Sequence, residues 1–197
     1  MCTRFSRQET FIIFDWDDTL LPSYWIASNG LRLEAEYVID PVSMAKLAQI
    51  EKLAEQLLIK ASRHGQVCLI TNAETGWIEL SCRKYMPGLA HELFSGKYII
   101  RSARSEYEKC SPPDLNTPFG WKVQSFKKET QRYFDNYSLK LGKQRTIVSF
   151  GDSAHEREAL LKIAQEFGQT QYVCKTVKFM ERPRIDTLYA SKTFFLF

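Results

Sequence analysis

Short apolar runs that stop at polar residues alternate with stretches of helical periodicity along this chain. Residues 11–15 (FIIFD), 67–71 (VCLIT) and 146–150 (TIVSF) are runs rich in Ile, Val, Leu and Phe, the pattern of strands buried on both faces. Residues 171–177 add a further strand and 97–101 a weaker one. Met44, Leu47, Ile50, Leu53, Leu57 and Leu58 recur at helical spacing, with Pro41 suited to a first turn and Gly65 to an exit, which predicts a helix over Pro41–His64. Helices are also predicted over Trp77–Tyr85, stopped by Pro87, over 123–137 and over 156–167. Residues 106–120, with Pro112, Pro113 and Pro118, read as a loop. Residues 25–36 (WIASNGLRLEAE) place Asn29-Gly30 between two partly apolar arms, which predicts a β-hairpin flap over about residues 24–36.

Strands separated by helices imply an α/β protein, a three-layer Rossmann-like fold on a mostly parallel sheet that binds ligands at the carboxyl ends of its strands. That geometry would gather Asp15, Asp17, Thr71 and Asp152 at one edge. The 197 residues suit a single domain over 1–197, with no internal repeat.

Composition narrows the class. Hydrophobic residues at 44% and charged residues at 25% exclude the signature of a disordered chain. No apolar run approaches the roughly 20 residues of a membrane helix. The first ten residues (MCTRFSRQET) lack a secretory apolar stretch, so an intracellular, cytoplasmic protein without a membrane partner is expected. Five cysteines with no CxxC pair read as free thiols, Cys68 and Cys174 as buried ones. The net charge of +4 is uneven: residues 121–145 hold seven Lys or Arg against Glu129 and Asp135. Such a segment could meet nucleic acid or an acidic partner, but it lacks arginines interleaved with aromatics, and a solvated helix face is the favoured reading.

Four pieces carry candidate chemistry. In FIIFDWDDTLL, Asp15 and Asp17 follow a buried strand, where bunched carboxylates repel one another and need a cation or a shared proton. An acidic loop, or a helix cap formed by Asp18 and Thr19, is the plainer alternative. In VSFGDSAHE, Gly151 permits a tight turn and Asp152 offers an oxygen ligand, with Glu156 four residues on; Asp152 could instead cap the next helix. CLITN places the Thr71 hydroxyl and the Asn72 backbone N–H at a strand end, where they could hold phosphate oxygens or cap a helix. Lys122 stands at the start of a predicted helix, a poor place for a cation unless an anion lies in front of it.

In this order, the pieces resemble the motifs of the haloacid dehalogenase-like hydrolases, over residues 11 to about 167. The resemblance implies Asp15 as nucleophile, Asp17 as general acid and base, and Thr71, Asn72 and Lys122 as phosphate-binding residues. It implies Mg²⁺ held by Asp15, by Asp17 through its backbone carbonyl, and by Asp152. The expected activity is hydrolysis of a phosphate monoester through an aspartyl-phosphate. Little room exists for a cap domain, so the chain resembles the capless branch, and a macromolecular substrate such as a phosphoprotein is the expected partner. The alternatives are a noncatalytic phosphate-sensing or scaffold protein, and a small-metabolite phosphatase or nucleotidase. Trp16, Trp25, Trp77 and Trp121 lie near the motifs, either as an apolar rim to a cleft or as core residues.

Overall fold

The structure, a computed structural model, describes residues 7–137, 144–168 and 171–196. The N-terminal residues read for a leader, Cys2, and Lys140 and Lys143 of the basic stretch lie outside the described residues.

The elements follow in the order β1 (Thr10–Phe14), α1 (Ser23–Ser28), α2 (Pro41–His64), β2 (Gln66–Thr71), α3 (Trp77–Tyr85), α4 (Ala90–Leu93) and β3 (Ile99–Ser102). Then come α5 (Ala103–Tyr107), α6 (Pro118–Asp135), β4 (Arg145–Gly151), α7 (Ala154–Phe167), β5 (Tyr172–Lys178) and α8 (Ile185–Phe194). Five strands in the order β3-β2-β1-β4-β5 form one all-parallel sheet. Helices cover both faces, giving the expected three-layer α/β arrangement, with no large cap among the described residues.

Alternation along β1 explains the layering. Ile12 and Phe14 face one side, where with Val67 and Leu69 of β2 they pack on Leu47, Ile50 and Leu58 of α2 and Ile78 of α3. Phe11 and Ile13 face the other, where with Cys68 and Ile70 they meet Phe126 and Phe134 of α6 and Leu160 and Ile163 of α7. The side chains of Phe11–Phe14 are at most 5% exposed, so a carboxylate among them would be buried away from water. The first acid therefore comes at the strand's end. Asp40 starts α2, its carboxylate accepting from Val42 and Ser43 N–H, ahead of Pro41 in the first turn.

The predicted hairpin is not there. Ser23–Ser28 is a helix, and Asn29-Gly30 ends it: Gly30 N–H donates to Ala27 O and Leu31 N–H to Ile26 O, with Gly30 at φ 65°. These are the paired bonds of a Schellman C-cap, which needs the same left-handed glycine as a hairpin turn. Leu31 and Ile26 then join the core beside α2, so the arms fold inward and do not pair.

Two further readings are revised. The loop predicted over 106–120 gives way at Pro118 to α6, whose first turn is capped by the Thr117 hydroxyl accepting from Gly120 N–H. Lys122 accordingly lies in the second turn of a helix, one turn further in than expected. Near the C-terminus, Thr193 and Phe194 close α8 and residues 195–196 form a turn; Phe195 packs on Phe150 and Phe179, and Lys60 donates to the Phe195 and Leu196 carbonyls. Among the described residues no helix is long and apolar enough to cross a membrane.

Candidate active site at the carboxyl edge of the sheet

The chain turns to β2 and β3 on one side of β1 and to β4 and β5 on the other, so a crevice opens beyond the ends of β1 and β4. Asp15 sits there, its N–H donating to Phe150 O at 2.9 Å in continuation of the ladder. Trp16 points back into the core, and its indole N–H reaches Ser81 Oγ on α3. Asp17 returns to the crevice side. Its carboxylate accepts from Trp77 Nε1 at 3.0 and 3.1 Å, one contact to each oxygen, and from Thr71 Oγ1 at 3.3 Å.

A tight turn follows, in which Trp16 O accepts from the N–H groups of Leu20 and Leu21. Asp18, at φ 49°, accepts from Ser23 Oγ and Tyr24 N–H. The plainer reading thus holds for Asp18, which fastens the start of α1.

Lys122 is 1% exposed and uses all three donors of its ammonium: Asp15 Oδ1 at 2.7 Å, Ile70 O at 2.6 Å and Glu156 Oε1 at 3.0 Å. The anion anticipated in front of this cation is therefore protein: the carboxylates of β1 and α7. A buried ammonium is tolerable only with such partners.

Beyond β4, Ser153 caps α7 in a capping box. Its hydroxyl accepts from His155 N–H, and the Glu156 carboxylate accepts from Ser153 N–H. Gly151 is required beside it, because an added Cβ would lie 2.4 Å from Glu156 Cγ. Asp15, Asp152 and Glu156 can each present one oxygen within 4.8 Å of the others. An all-carboxylate set of this size suits a hard divalent cation such as Mg²⁺. The Asp17 carboxylate faces Trp77 and Thr71 and is not part of that set, leaving for an ion only the backbone carbonyl assigned by resemblance.

The electrostatics agree with a site built for a cation. Burial, with Glu156 and Asp17 adding to it and Lys122 offsetting part, raises the Asp15 carboxyl above its ordinary range. Burial, then Glu156 and Asp18, push Asp152 up to about 7. Asp17 is raised by burial against its hydrogen bonds from Trp77 and others. Burial alone would raise Glu156, but Lys122 and Ser153 outweigh it and hold the carboxylate ionised. Burial would lower Lys122; Asp15 and Glu156 reverse it and keep the ammonium charged. Glu156 is thus held ionised by Lys122 and Ser153, while Asp15 and Asp152 resist ionisation, a resistance that a cation would offset.

Thr71 is 2% exposed and also accepts from Ala73 N–H, a turn that ends β2 at the crevice. The Asn72 side chain is turned away, its amide donating to Pro118 O at the start of α6; its part in phosphate binding could only be the backbone N–H. The four tryptophans do not form a rim. Trp16 and Trp121 are core, Trp121 bonding Asn116 at its indole N–H, and Trp25 packs against the α2 side; Trp77 touches an acid of the site. In the basic stretch, Lys127 pairs with Glu166, Lys128 with Glu106, and Arg145 lies over Phe134 and Tyr172, a surface engaged with its own chain. Cys68 and Cys82 are buried with raised pKa, as for inert core thiols, while Cys174 is partly exposed.

Sequence reasoning left Glu156 undecided and did not find the Trp77 contact. The spacing Ser153-x-x-Glu156 is a readable capping box, a signal that fixes where Glu156 turns. Nothing local announces Trp77. In comparisons with protein-family models, curated proteins and solved structures, none matches this chain.

Proposed function

We propose that the chain is a divalent-cation-dependent phosphohydrolase of the haloacid dehalogenase-like type, with Asp15 as nucleophile and Asp17 as general acid and base. The observation that carries this reading is Lys122 seated between Asp15 and Glu156, with Asp152 alongside: a buried cation and three acids converging beyond the paired ends of β1 and β4.

Mg²⁺ held by Asp15, Asp152 and Glu156 would offset the negative charge that the phosphate group brings toward a carboxylate. Lys122 fixes the Asp15 carboxylate through Oδ1 and lowers the cost of an anion approaching it. An Asp15 oxygen bonds to phosphorus while the ester P–O bond breaks, and the leaving oxygen takes the proton from Asp17. Asp17 then removes a proton from water, whose oxygen bonds to phosphorus as the Asp15–phosphorus bond breaks and phosphate departs. Thr71 stands beside Asp17, where its hydroxyl can meet a phosphate oxygen. The short α1 in place of a cap leaves the crevice open, which suits a phosphate carried by a macromolecule such as a phosphoprotein.

The test is phosphate release from p-nitrophenyl phosphate and from phosphopeptides with Mg²⁺. Activity should vanish on chelation and in Asp15→Asn; turnover by Asp15→Asn at the unsubstituted rate contradicts the assignment.

A further inference from the structure

Asp17 is gripped by a helix that no motif includes. Helix α3 meets the first acidic segment at two adjacent residues: Trp77 donates to both Asp17 oxygens, and Ser81, one turn on, accepts from the Trp16 indole. Ser81 Oγ also donates to Trp77 O at 2.6 Å, so one hydroxyl joins the Trp16 indole to the Trp77 backbone. Trp16 and Ser81 are fully buried, which fixes the register of α3 against the residue between the two acids. The indole N–H therefore arrives at Asp17 from a rigid base and spans the carboxylate, setting its plane.

We propose that Trp77 is a positioning residue for Asp17, directing its proton toward the leaving group and thereby setting how poor a leaving group the site can expel. This rests on the phosphohydrolase reading above. The chemistry follows from the indole, which donates a hydrogen bond and cannot accept one. A protonated Asp17 can keep its carbonyl oxygen on Trp77 but cannot give its proton to it. The acidic O–H is thus turned away from the indole, toward Thr71 and the crevice side, where the leaving oxygen would be. Phenylalanine at position 77 would keep the ring and lose this discrimination, leaving the carboxyl held on the protein side by the longer Thr71 hydrogen bond.

The experiment compares kcat/KM for p-nitrophenyl phosphate, whose leaving group departs with little help from an acid, and phenyl phosphate, which needs the proton. General acid catalysis contributes about 10²- to 10⁴-fold, and loss of orientation should remove about tenfold of it. In Trp77→Phe the ratio of the two constants, p-nitrophenyl over phenyl, should rise by about that factor, while Trp77→His, which keeps a ring N–H, should recover part of the difference. In an Asp17→Asn background, adding Trp77→Phe should leave the ratio unchanged, because the two residues act as one unit. An equal fall on both substrates, or a further change of ratio in the Asp17→Asn background, overturns the assignment; should Trp77→Phe not fold, Trp77→His decides by whether its ratio lies above that of the unsubstituted protein. If the unsubstituted chain shows no Asp15-dependent turnover, the phosphohydrolase reading fails and this assignment with it. Turnover that depends on Asp15, with a ratio indifferent to residue 77, removes the Trp77 assignment alone.

Discussion

The Lys122 ammonium lies 2.7 Å from the Asp15 carboxylate, across 107 residues of chain, and both groups are buried. The pair joins the second turn of α6 to the end of β1 and makes one charge balance of the two cores. Lys122→Met should reduce phosphate release by about 10²- to 10³-fold, the usual cost of removing a group aimed at developing negative charge. It should also lower the melting temperature of the metal-free protein. Breaking a buried pair typically costs about 3–5 kcal/mol, and the lower end applies because Asp15 can take up a proton. Thermal unfolding with and without Mg²⁺ checks this: the variant should gain more from Mg²⁺ than the unsubstituted protein does, and an unchanged melting temperature would count against a structural role for the pair.

Glu156 serves both the α7 capping box and the acidic set. Glu156→Gln keeps an oxygen for Ser153 N–H but removes the charge, so it should weaken Mg²⁺ binding by about 10- to 100-fold and also lower stability, since the buried Lys122 keeps Asp15 as its one carboxylate partner. Gly151→Ala should do the same indirectly, since its Cβ would force Glu156 aside. Calorimetric titration of Mg²⁺ into both variants measures the effect; affinity equal to that of the unsubstituted protein would place the ion elsewhere.

Stability should fall as pH rises through the range where Asp152 ionises. Its folded pKa of about 7 stands above the ordinary 3.8, so over that interval the folded state binds the proton more tightly than the unfolded state. The contribution is complete below about pH 4 and lost as pH passes about 7. In chelator, the melting temperature of the unsubstituted protein should therefore decline relative to Asp152→Asn between about pH 4.5 and 7. Parallel curves would show that the Asp152 carboxyl is not raised as described.

Lys192 on α8 is fully buried and donates to Leu20 O at 2.8 Å, in the turn that follows Asp17 and Asp18. Burial lowers its pKa well below 10.5. A group depressed in this way makes the folded state refuse a proton that the unfolded state accepts, so its cost grows as pH falls below 10.5 and stops growing at the folded pKa. Relative to Lys192→Met, the unsubstituted protein should gain stability as pH rises from the folded pKa toward 10.5. Denaturant unfolding at a series of alkaline pH values measures the difference, and a constant offset between the two proteins contradicts it.

Much of the architecture is legible in the sequence because burial leaves β1, β2 and β4 as short runs rich in apolar residues, and because Pro41–His64 carries a regular apolar stripe. The hairpin misreading has a specific cause: Asn29-Gly30 supplies positive φ, which a helix cap uses as readily as a strand turn, and local sequence does not separate them. Helix α8 escaped because its buried residues Ile185, Leu188 and Lys192 include a lysine, which breaks the apolar stripe. At the site, Asp15, Asp17, Thr71, Lys122 and Asp152 do come to one edge, since each follows or faces a strand end. Trp77 was beyond reach, as its bond to Asp17 spans 60 residues and depends on the register that Trp16 and Ser81 impose on α3.

The most direct test is to look for the phosphorylated enzyme. Protein incubated with Mg²⁺ and p-nitrophenyl phosphate, quenched in acid and mapped by peptide mass, should carry a hydroxylamine-labile phosphoryl group at Asp15. The group should accumulate in Asp17→Asn, which lacks the carboxylate assigned to activate water, and be absent from Asp15→Asn. Phosphate release with no phosphoryl group at Asp15 in either active protein would contradict the account.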